Sequence, residues 1–112
     1  MAGVIGLVAG GRSTIVLSVN TPNAYGSTFG AGGAATNEIV VTPSGGIGSY
    51  SYSWTKTSGG SITANSASSA NTVFSGTLAL GESIEAVYKC TVTDSTGSVA
   101  DISVDVLLFE VS

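Results

Sequence analysis

The segment SIEAVYKCTVTD (residues 83–94) decides the fold class, because its side chains alternate in character. A β-strand points successive side chains to opposite faces. One face of this segment is apolar (Ala86, Tyr88, Cys90 and Val92), and the other carries Glu85, Val87, Lys89 and Thr91. The segment therefore predicts a half-buried strand in which Cys90 points inward.

The same kind of pattern recurs along the chain. Glycines (16 of them) and Ser/Thr residues are scattered throughout, which disfavours helices. Strands are predicted over 13–19, 38–43, 49–57, 73–80, 83–94 and 98–111, with a short strand and loop within 61–72 and a Gly-rich polar loop over 20–37. Regularly spaced short strands predict an all-β sandwich of about seven antiparallel strands.

Charge and residue usage exclude several classes of function. The net charge is −4 and only Arg12, Lys56 and Lys89 are positive, which argues against nucleic acid or a membrane surface as partner. The chain has no histidine, so a Ser-His-Asp or Cys-His site cannot be built within it. We therefore predict no enzymatic activity, and neither a cofactor nor a metal site.

The surface predicted by this composition is poorly charged. Only 9% of residues are charged, so Ser, Thr, Asn and Gly must supply most of the polar surface, which protects weakly against association. Two interpretations stay open: a chain packed against partners, or a β-domain with strands coated by Ser and Thr. The apolar run Val4–Ala9 is too short for a signal peptide or a membrane span, which predicts synthesis in the cytoplasm without export.

Residues 38–111 resemble a known superfamily. A Trp in the third strand, the segment LALGES (78–83) and the pattern Y-x-C-x-V-x-D (88–94) resemble immunoglobulin-like domains. The segments GGIGSYSYSW (45–54), GTLALGES (76–83) and YKCTVTDSTGSVAD (88–101) are most similar to bacterial Ig-like and PKD-like domains. Such domains occur on bacterial surface proteins and tailed-phage virions. The resemblance implies an immunoglobulin-like β-sandwich.

The resemblance also implies roles for three residues. Trp54 matches the core Trp of strand C, Cys90 the cysteine of strand F, and Tyr88 the tyrosine-corner position. The Tyr88 hydroxyl is then expected to bond to the backbone near residues 81–83. These three residues form the predicted core signature.

The expected disulfide partner of Cys90 is missing, because the strand-B position falls at Val40 or Val41. That fits folding in a reducing cytoplasm. We interpret Cys90 as a small buried hydrophobe packed on Trp54. The alternative, a reactive thiol, would need a nearby positive group, and Lys89 points to the opposite face.

Three acidic residues could in principle supply oxygen ligands. Asp101 and Asp105 share a face of the last strand, and Asp94 lies in the preceding turn, so a calcium site is conceivable. The alternative is that Asp94 caps a turn and the other two discourage wrong strand pairing. We favour the alternative.

Aromatic residues of the predicted 20–37 loop form a candidate surface-binding loop. Tyr25 and Phe29 could stack on a sugar or dock on a neighbouring subunit; alternatively they fold back as a lid on the sandwich. The loops around 44–49 and 58–72 are further candidates for binding a host-surface glycan.

Both ends of the chain are unusually apolar. In the last strand Leu107 and Phe109 share the face opposite to Val106 and Leu108, so both faces are apolar. The N-terminal run contributes Val4, Ile5, Leu7 and Val8. We predict an apolar arm over 1–12 and a single domain over 13–112, with both ends forming a subunit interface. The alternative is that the arm covers the last strand of its own chain.

The resemblance to Ig-like domains of tailed-phage virions, together with these observations, implies a non-enzymatic structural protein of a phage virion, located on the particle after synthesis in the host cytoplasm. A capsid decoration or cement protein is the first choice, and we predict that it binds the major capsid protein or other virion subunits and forms a homo-oligomer. A tail-associated virion protein, or an Ig-like module that binds carbohydrate or a host surface, is the alternative.

Overall fold

The computed structural model describes residues 14–112, which contain strands and turns but no helix. This confirms the all-β prediction. The strands are β1 (Val16–Val19), β2 (Asn23–Phe29), β3 (Gly32–Ala35), β4 (Ile39–Ser44), β5 (Ser51–Gly59), β6 (Thr63–Ala64), β7 (Asn71–Thr72), β8 (Phe74–Leu78), β9 (Ser83–Thr93) and β10 (Val99–Val111).

The largest sheet has four strands in the order β2-β10-β9-β5, and two three-stranded sheets have the orders β1-β4-β7 and β3-β8-β6. The two smaller sheets are joined end to end, because β3 continues into β4 and β7 continues into β8. At the junction the Thr36 N–H donates to the Phe74 carbonyl (2.9 Å), and the Phe74 N–H donates to Thr36 Oγ1 (3.1 Å). Both small sheets therefore belong to one layer, an arrangement consistent with a β-sandwich.

The strand pairs are antiparallel with one exception. β2 pairs with β10 in parallel, from Asn23 opposite Asp105 to Phe29 opposite Val111. The prediction of antiparallel strands throughout was therefore wrong at this pair. Between β1 and β2 the chain leaves one layer, passes Pro22, and joins the other. The consecutive strands β1 and β2 thus belong to different sheets.

The predicted loop over 20–37 is also wrong, because the segment forms β2 and β3. The small residues of this segment do not serve to make a flexible loop. They allow neighbouring strands to approach each other closely. Ala24 and Ala34 are buried, and a Cβ on Gly26 would collide with the Ala35 carbonyl oxygen and the Leu108 side chain. Glycine at a strand position marks such a close backbone approach.

The core lies between the two layers. Phe74 of β8 is fully buried and meets both predicted core aromatics: its ring centroid lies 5.5 Å from that of Trp54, edge to face, and 4.8 Å from that of Tyr88. Edge-to-face pairs at this separation are favourable. The other buried apolar residues include Ile39, Val41, Ile62, Leu78, Val92, Val104, Val106 and Leu108. Residues from both layers thus form one cluster.

The predicted N-terminal arm (1–12), with Val4, Ile5, Leu7 and Val8, lies outside the described residues, as does the proposed domain start at residue 13. Within residues 14–112, the structure has no helix with the length and apolarity required to cross a membrane.

Candidate binding face

The predicted core signature is closed to solvent. Trp54 and Cys90 lie directly opposite each other on β5 and β9, and Cys90 is fully buried. The Trp54 indole Nε1 donates to the Ser69 carbonyl oxygen at 2.8 Å, which anchors the 65–70 segment against the edge of β5. Burial raises the pKa of the Cys90 thiol to about 11. Because a thiol with a raised pKa is a poor nucleophile, this position suits packing rather than chemistry.

Tyr88 is buried, but its hydroxyl bond differs from the expected tyrosine corner. The hydroxyl donates to the Ile62 carbonyl oxygen at 2.6 Å, not to the backbone of residues 81–83. Tyr88 lies on the inward face in the middle of β9, so its ring crosses the core against Phe74 and reaches the segment before β6. Burial raises the pKa of the Tyr88 phenol.

Asp94 continues the inward-facing row of β9 and caps the turn between β9 and β10. Its carboxylate accepts hydrogen bonds from the Ile47, Thr96 and Ser98 N–H groups (3.0, 2.9 and 3.0 Å) and from the Thr96 hydroxyl (2.7 Å). The Thr96 hydroxyl, followed by the three backbone donors, lowers the pKa of Asp94 from 3.8 to about 2, against the opposing effect of burial. This carboxylate therefore holds two loops together.

Asp101 and Asp105 lie away from Asp94, on the outer face of the four-stranded sheet. Asp101 is 4.0 Å from the Lys89 ammonium, and Asp105 stands opposite Asn23 and Val87. Residues 14–112 bring together no group of three or more His, Cys, Asp or Glu side chains that could hold a metal ion. The three aspartates considered for calcium thus occupy separate places.

The outer face of the four-stranded sheet brings together two sets of residues that are far apart in the sequence, the aromatic residues of β2 and the outward-facing apolar residues of β10. The β2–β10 register puts Tyr25 beside Leu107 and Phe29 beside Val111. Phe109 lies between them on β10, opposite Ser27 and Ser83. We call Tyr25, Phe29, Val87, Leu107, Phe109 and Val111 the outer apolar patch. The predicted interface residues of the last strand and the predicted surface-binding aromatics therefore form one surface.

The exposure of this patch separates it from the core. Phe29 is 86% exposed and Tyr25 56%, so neither folds back as a lid. Leu107 and Phe109 are half-buried by their sheet neighbours, whereas Val106 and Leu108, on the inner face, are fully buried. The alternative in which the N-terminal run covers Leu107 and Phe109 depends on residues outside the described range.

A groove crosses all four strands beside the patch. It has a volume of about 530 Å³ and is open to solvent. Its lining comprises Asn23 and Tyr25 of β2, Ser58 and Gly59 of β5, Glu85, Ala86 and Val87 of β9, and Asp105, Val106 and Leu107 of β10. The groove thus combines an aromatic and aliphatic wall with two carboxylates.

A bulge in β5 shapes one end of the groove. The register between β5 and β9 shifts between Lys56 and Ser58, which brings Ser58 opposite Val87. Bulges of this kind re-aim side chains and are common beside functional sites. The Lys56 ammonium donates to the Gly60 carbonyl oxygen at 2.7 Å, so the Lys56 side chain extends along β5.

Glu110 fixes the turns at the end of the patch, a role that sequence reasoning missed. One carboxylate oxygen accepts from the Gly30 N–H at 2.9 Å and the other from the Gly81 N–H at 2.6 Å. The turn after Phe29 and the turn before β9 are thereby tied to the end of β10. Both glycines have positive φ, but nothing in the local sequence links either turn to a glutamate so far along the chain.

The outer apolar patch and the adjoining groove are therefore the candidate site. Comparisons of the chain with protein-family models, with curated proteins and with solved structures found no match.

Proposed function

We propose that this chain is a non-enzymatic immunoglobulin-like domain that attaches to a larger assembly through its outer apolar patch. The observation that carries the proposal is the patch itself, in which Tyr25 and Phe29 are largely exposed beside Leu107, Phe109 and Val111. Contiguous exposed apolar surface marks sites of interaction.

The order of the strands supports the immunoglobulin-like part of the proposal. In such domains the strand orders are A-B-E-D in one sheet and C-F-G in the other. The first order is matched here by β1 as strand A, β3 and β4 as strand B, β7 and β8 as strand E, and β6 as strand D. The second order is matched by β5, β9 and β10 as strands C, F and G. If β2 is the second half of strand A, the ten segments correspond to the seven strands predicted.

Energetics support attachment through the patch. Burial of apolar surface contributes about 25 cal/mol per Å², so a few hundred Å² would contribute several kcal/mol before the cost of association. Exposed aromatic side chains also bring large area at a low cost in conformational entropy. A contact of modest size, repeated over many copies on a particle, would stabilise that particle at every site.

The virion is the assembly that the sequence resemblance favours. Domains similar to this one occur on tailed-phage virions, and a surface coated with Ser and Thr and few charges suits close packing among subunits. We place the chain first on the capsid, as a decoration protein bound to the major capsid protein and to sister copies, and second on the tail.

Localisation on particles tests this proposal. Virions from cells that carry the gene are purified on a density gradient and labelled with a gold-conjugated antibody to the chain. Labelling over the heads supports capsid decoration, and labelling of the tails supports the second location. Absence of the chain from purified particles contradicts a virion role.

The attachment face is tested separately by matched substitutions. Leu107→Asp and Phe109→Asp should prevent incorporation into particles while the variants remain folded, because both side chains point away from the core. Thr91→Asp adds the same charge to the polar part of the same face and should leave incorporation unchanged. Equal incorporation of all three variants would place the contact elsewhere.

One observation favours a carbohydrate-binding function as a second candidate. The exposed Tyr25 ring stands beside a groove lined by Asn23, Ser58 and Asp105, which can donate or accept hydrogen bonds. A glycan array probed with the wild-type chain and with Tyr25→Ser tests this. Glycan signals lost in Tyr25→Ser support it, and an array without signals argues against it.

A further inference from the structure

We propose that the groove across the four-stranded sheet receives an extended segment of the partner protein in which a Lys or Arg stands beside a large apolar residue. This inference rests on the proposed function, because it specifies the chemistry of the surface to which the patch attaches. It follows from the geometry of the groove and from the distribution of charge around it.

The groove runs across the strands between two rows of outward-facing side chains. One row, in register, is Asn23, Asp105, Val87 and Ser58, and the other is Tyr25, Leu107 and Glu85. Neighbouring strands are about 4.8 Å apart, so four strands give a groove of roughly 15–20 Å. An extended chain of about five residues, at roughly 3.3 Å each, fits this length.

The two carboxylates stand diagonally across the groove. Asp105 belongs to one row on β10, and Glu85 belongs to the other row on β9. Among residues 14–112 the ion pair is Lys89–Asp101, and neither groove carboxylate has a cationic partner. A positive group between the rows would be attracted by both carboxylates at once. Because these charges are exposed, the attraction is strongest at low ionic strength.

The apolar wall lies at the β2 end of the same groove. The Tyr25 ring and the Leu107 side chain are neighbours there, next to the carboxylate of Asp105. A guanidinium or ammonium group can lie over a tyrosine ring, and an aliphatic neighbour in the partner would cover Leu107. A ligand that complements the groove would therefore carry a positive group and an apolar group in adjacent positions.

Charge also argues against a second copy of the chain in this groove. Packing groove to groove would bring four carboxylates together, and like charges across an interface are strongly unfavourable. The chain as a whole carries a net charge of −4, which adds to this repulsion. A basic segment of another protein is the occupant that complements the face.

Short peptide probes test the inference on the full chain. The acetylated and amidated peptide GLRLG is titrated into ¹⁵N-labelled protein at low ionic strength, with GLELG and GLQLG as matched controls. We expect GLRLG to perturb the amide signals of Tyr25, Ser58, Glu85 and Leu107, and to bind about threefold to tenfold tighter than GLQLG, because its cation would pair with two exposed carboxylates. GLELG should not bind.

Variants of the protein assign the effect to the groove. The double variant Glu85→Gln/Asp105→Asn should weaken GLRLG binding about threefold to tenfold. Asp101→Asn removes a charge from the same face outside the groove and should change affinity less than about twofold. Equal effects of the two changes, equal binding of the three peptides, or no binding of GLRLG would overturn the inference. If incorporation into particles still depends on Leu107 and Phe109, the proposed attachment face stands even when the peptide result is negative.

Discussion

The two faces of β10 carry similar apolar residues but differ in their surroundings. Val106 and Leu108 are covered by the opposite layer and are fully buried. Leu107 and Phe109, one residue further along in each case, face outward in the outer apolar patch beside Tyr25 and Phe29. A strand in a two-layer protein needs one apolar face for folding. Packing among residues 14–112 therefore accounts for the inner apolar face of β10 but not for the outer one.

The carboxylates of the two faces differ in the same way. Asp94, in the inward-facing row of β9, is saturated by donors from two loops. Glu85 and Asp105, on the outer face, stand beside an open groove. The inner carboxylate is thus structural, whereas the outer pair forms no ion pair among residues 14–112. Substitutions on the two faces should therefore have different effects.

The largest effect is expected from adjacent leucines. Leu108→Ala should lower the free energy of unfolding by about 2–5 kcal/mol, because it leaves a cavity between the layers. Leu107→Ala should lower it by about 1 kcal/mol or less, since this side chain is only half-buried. Urea denaturation of the two variants measures both values. Similar losses would mean that Leu107 belongs to the domain's own core.

Cys90→Ser should have the next largest effect. A hydroxyl in this apolar site would cost about 1–3 kcal/mol, again measured with urea. In the native wild-type protein the thiol should not react with a disulfide reagent until the protein unfolds. A cysteine introduced by Thr91→Cys into Cys90→Ala protein, one residue along but facing outward, should react at once. Fast labelling of native Cys90 would contradict its burial.

Tyr88→Phe should cost about 1–2 kcal/mol, because the Ile62 carbonyl oxygen then loses its donor within the core. Tyr25→Phe is the matched control on the outer face and should leave the free energy of unfolding within about 0.5 kcal/mol of wild type. If both variants are equally stable, the Tyr88 hydrogen bond contributes nothing measurable.

The smallest effect appears only in acid. The pKa of Asp94 falls from 3.8 to about 2 on folding, so the stability that this carboxylate contributes is fully present above pH 3.8 and is lost as the pH falls through about 2. Asp94→Asn should therefore show a smaller loss of stability between pH 4 and pH 2 than wild type. Urea midpoints at several values in this range provide the measurement. Parallel pH profiles for the two proteins would show that other groups dominate.

Much of the fold could be predicted from local alternation. The pattern of residues 83–94 gave β9 to within one residue at its end, and the inward direction of Tyr88 and Cys90 followed from the same period of two. The segment over 20–37 could not be predicted in this way. Its glycines and alanines resemble a loop by composition, but they are small because Gly26 passes against Ala35 and Leu108.

Local sequence patterns predict the candidate site only as two unconnected halves. They predict Tyr25 and Phe29 in a surface loop, and Leu107 and Phe109 in an interface of the last strand. What joins them is the parallel pairing of β2 with β10, between residues about eighty positions apart, which no local pattern reveals. The groove depends on the same long-range register, so Glu85 and Asp105 could not be placed in it from sequence.

The parallel alignment of β2 and β10 has a mechanical consequence. When the protein is pulled from residues 14 and 112 and β1 has detached from β4, the load draws β2 toward its beginning and β10 toward its end. The two neighbours are then driven past each other along their length, so the hydrogen bonds between the seven registered pairs must yield together. An antiparallel hairpin pulled at its open end would instead unzip one rung at a time. A domain held at both ends would therefore resist extension through this pair of strands.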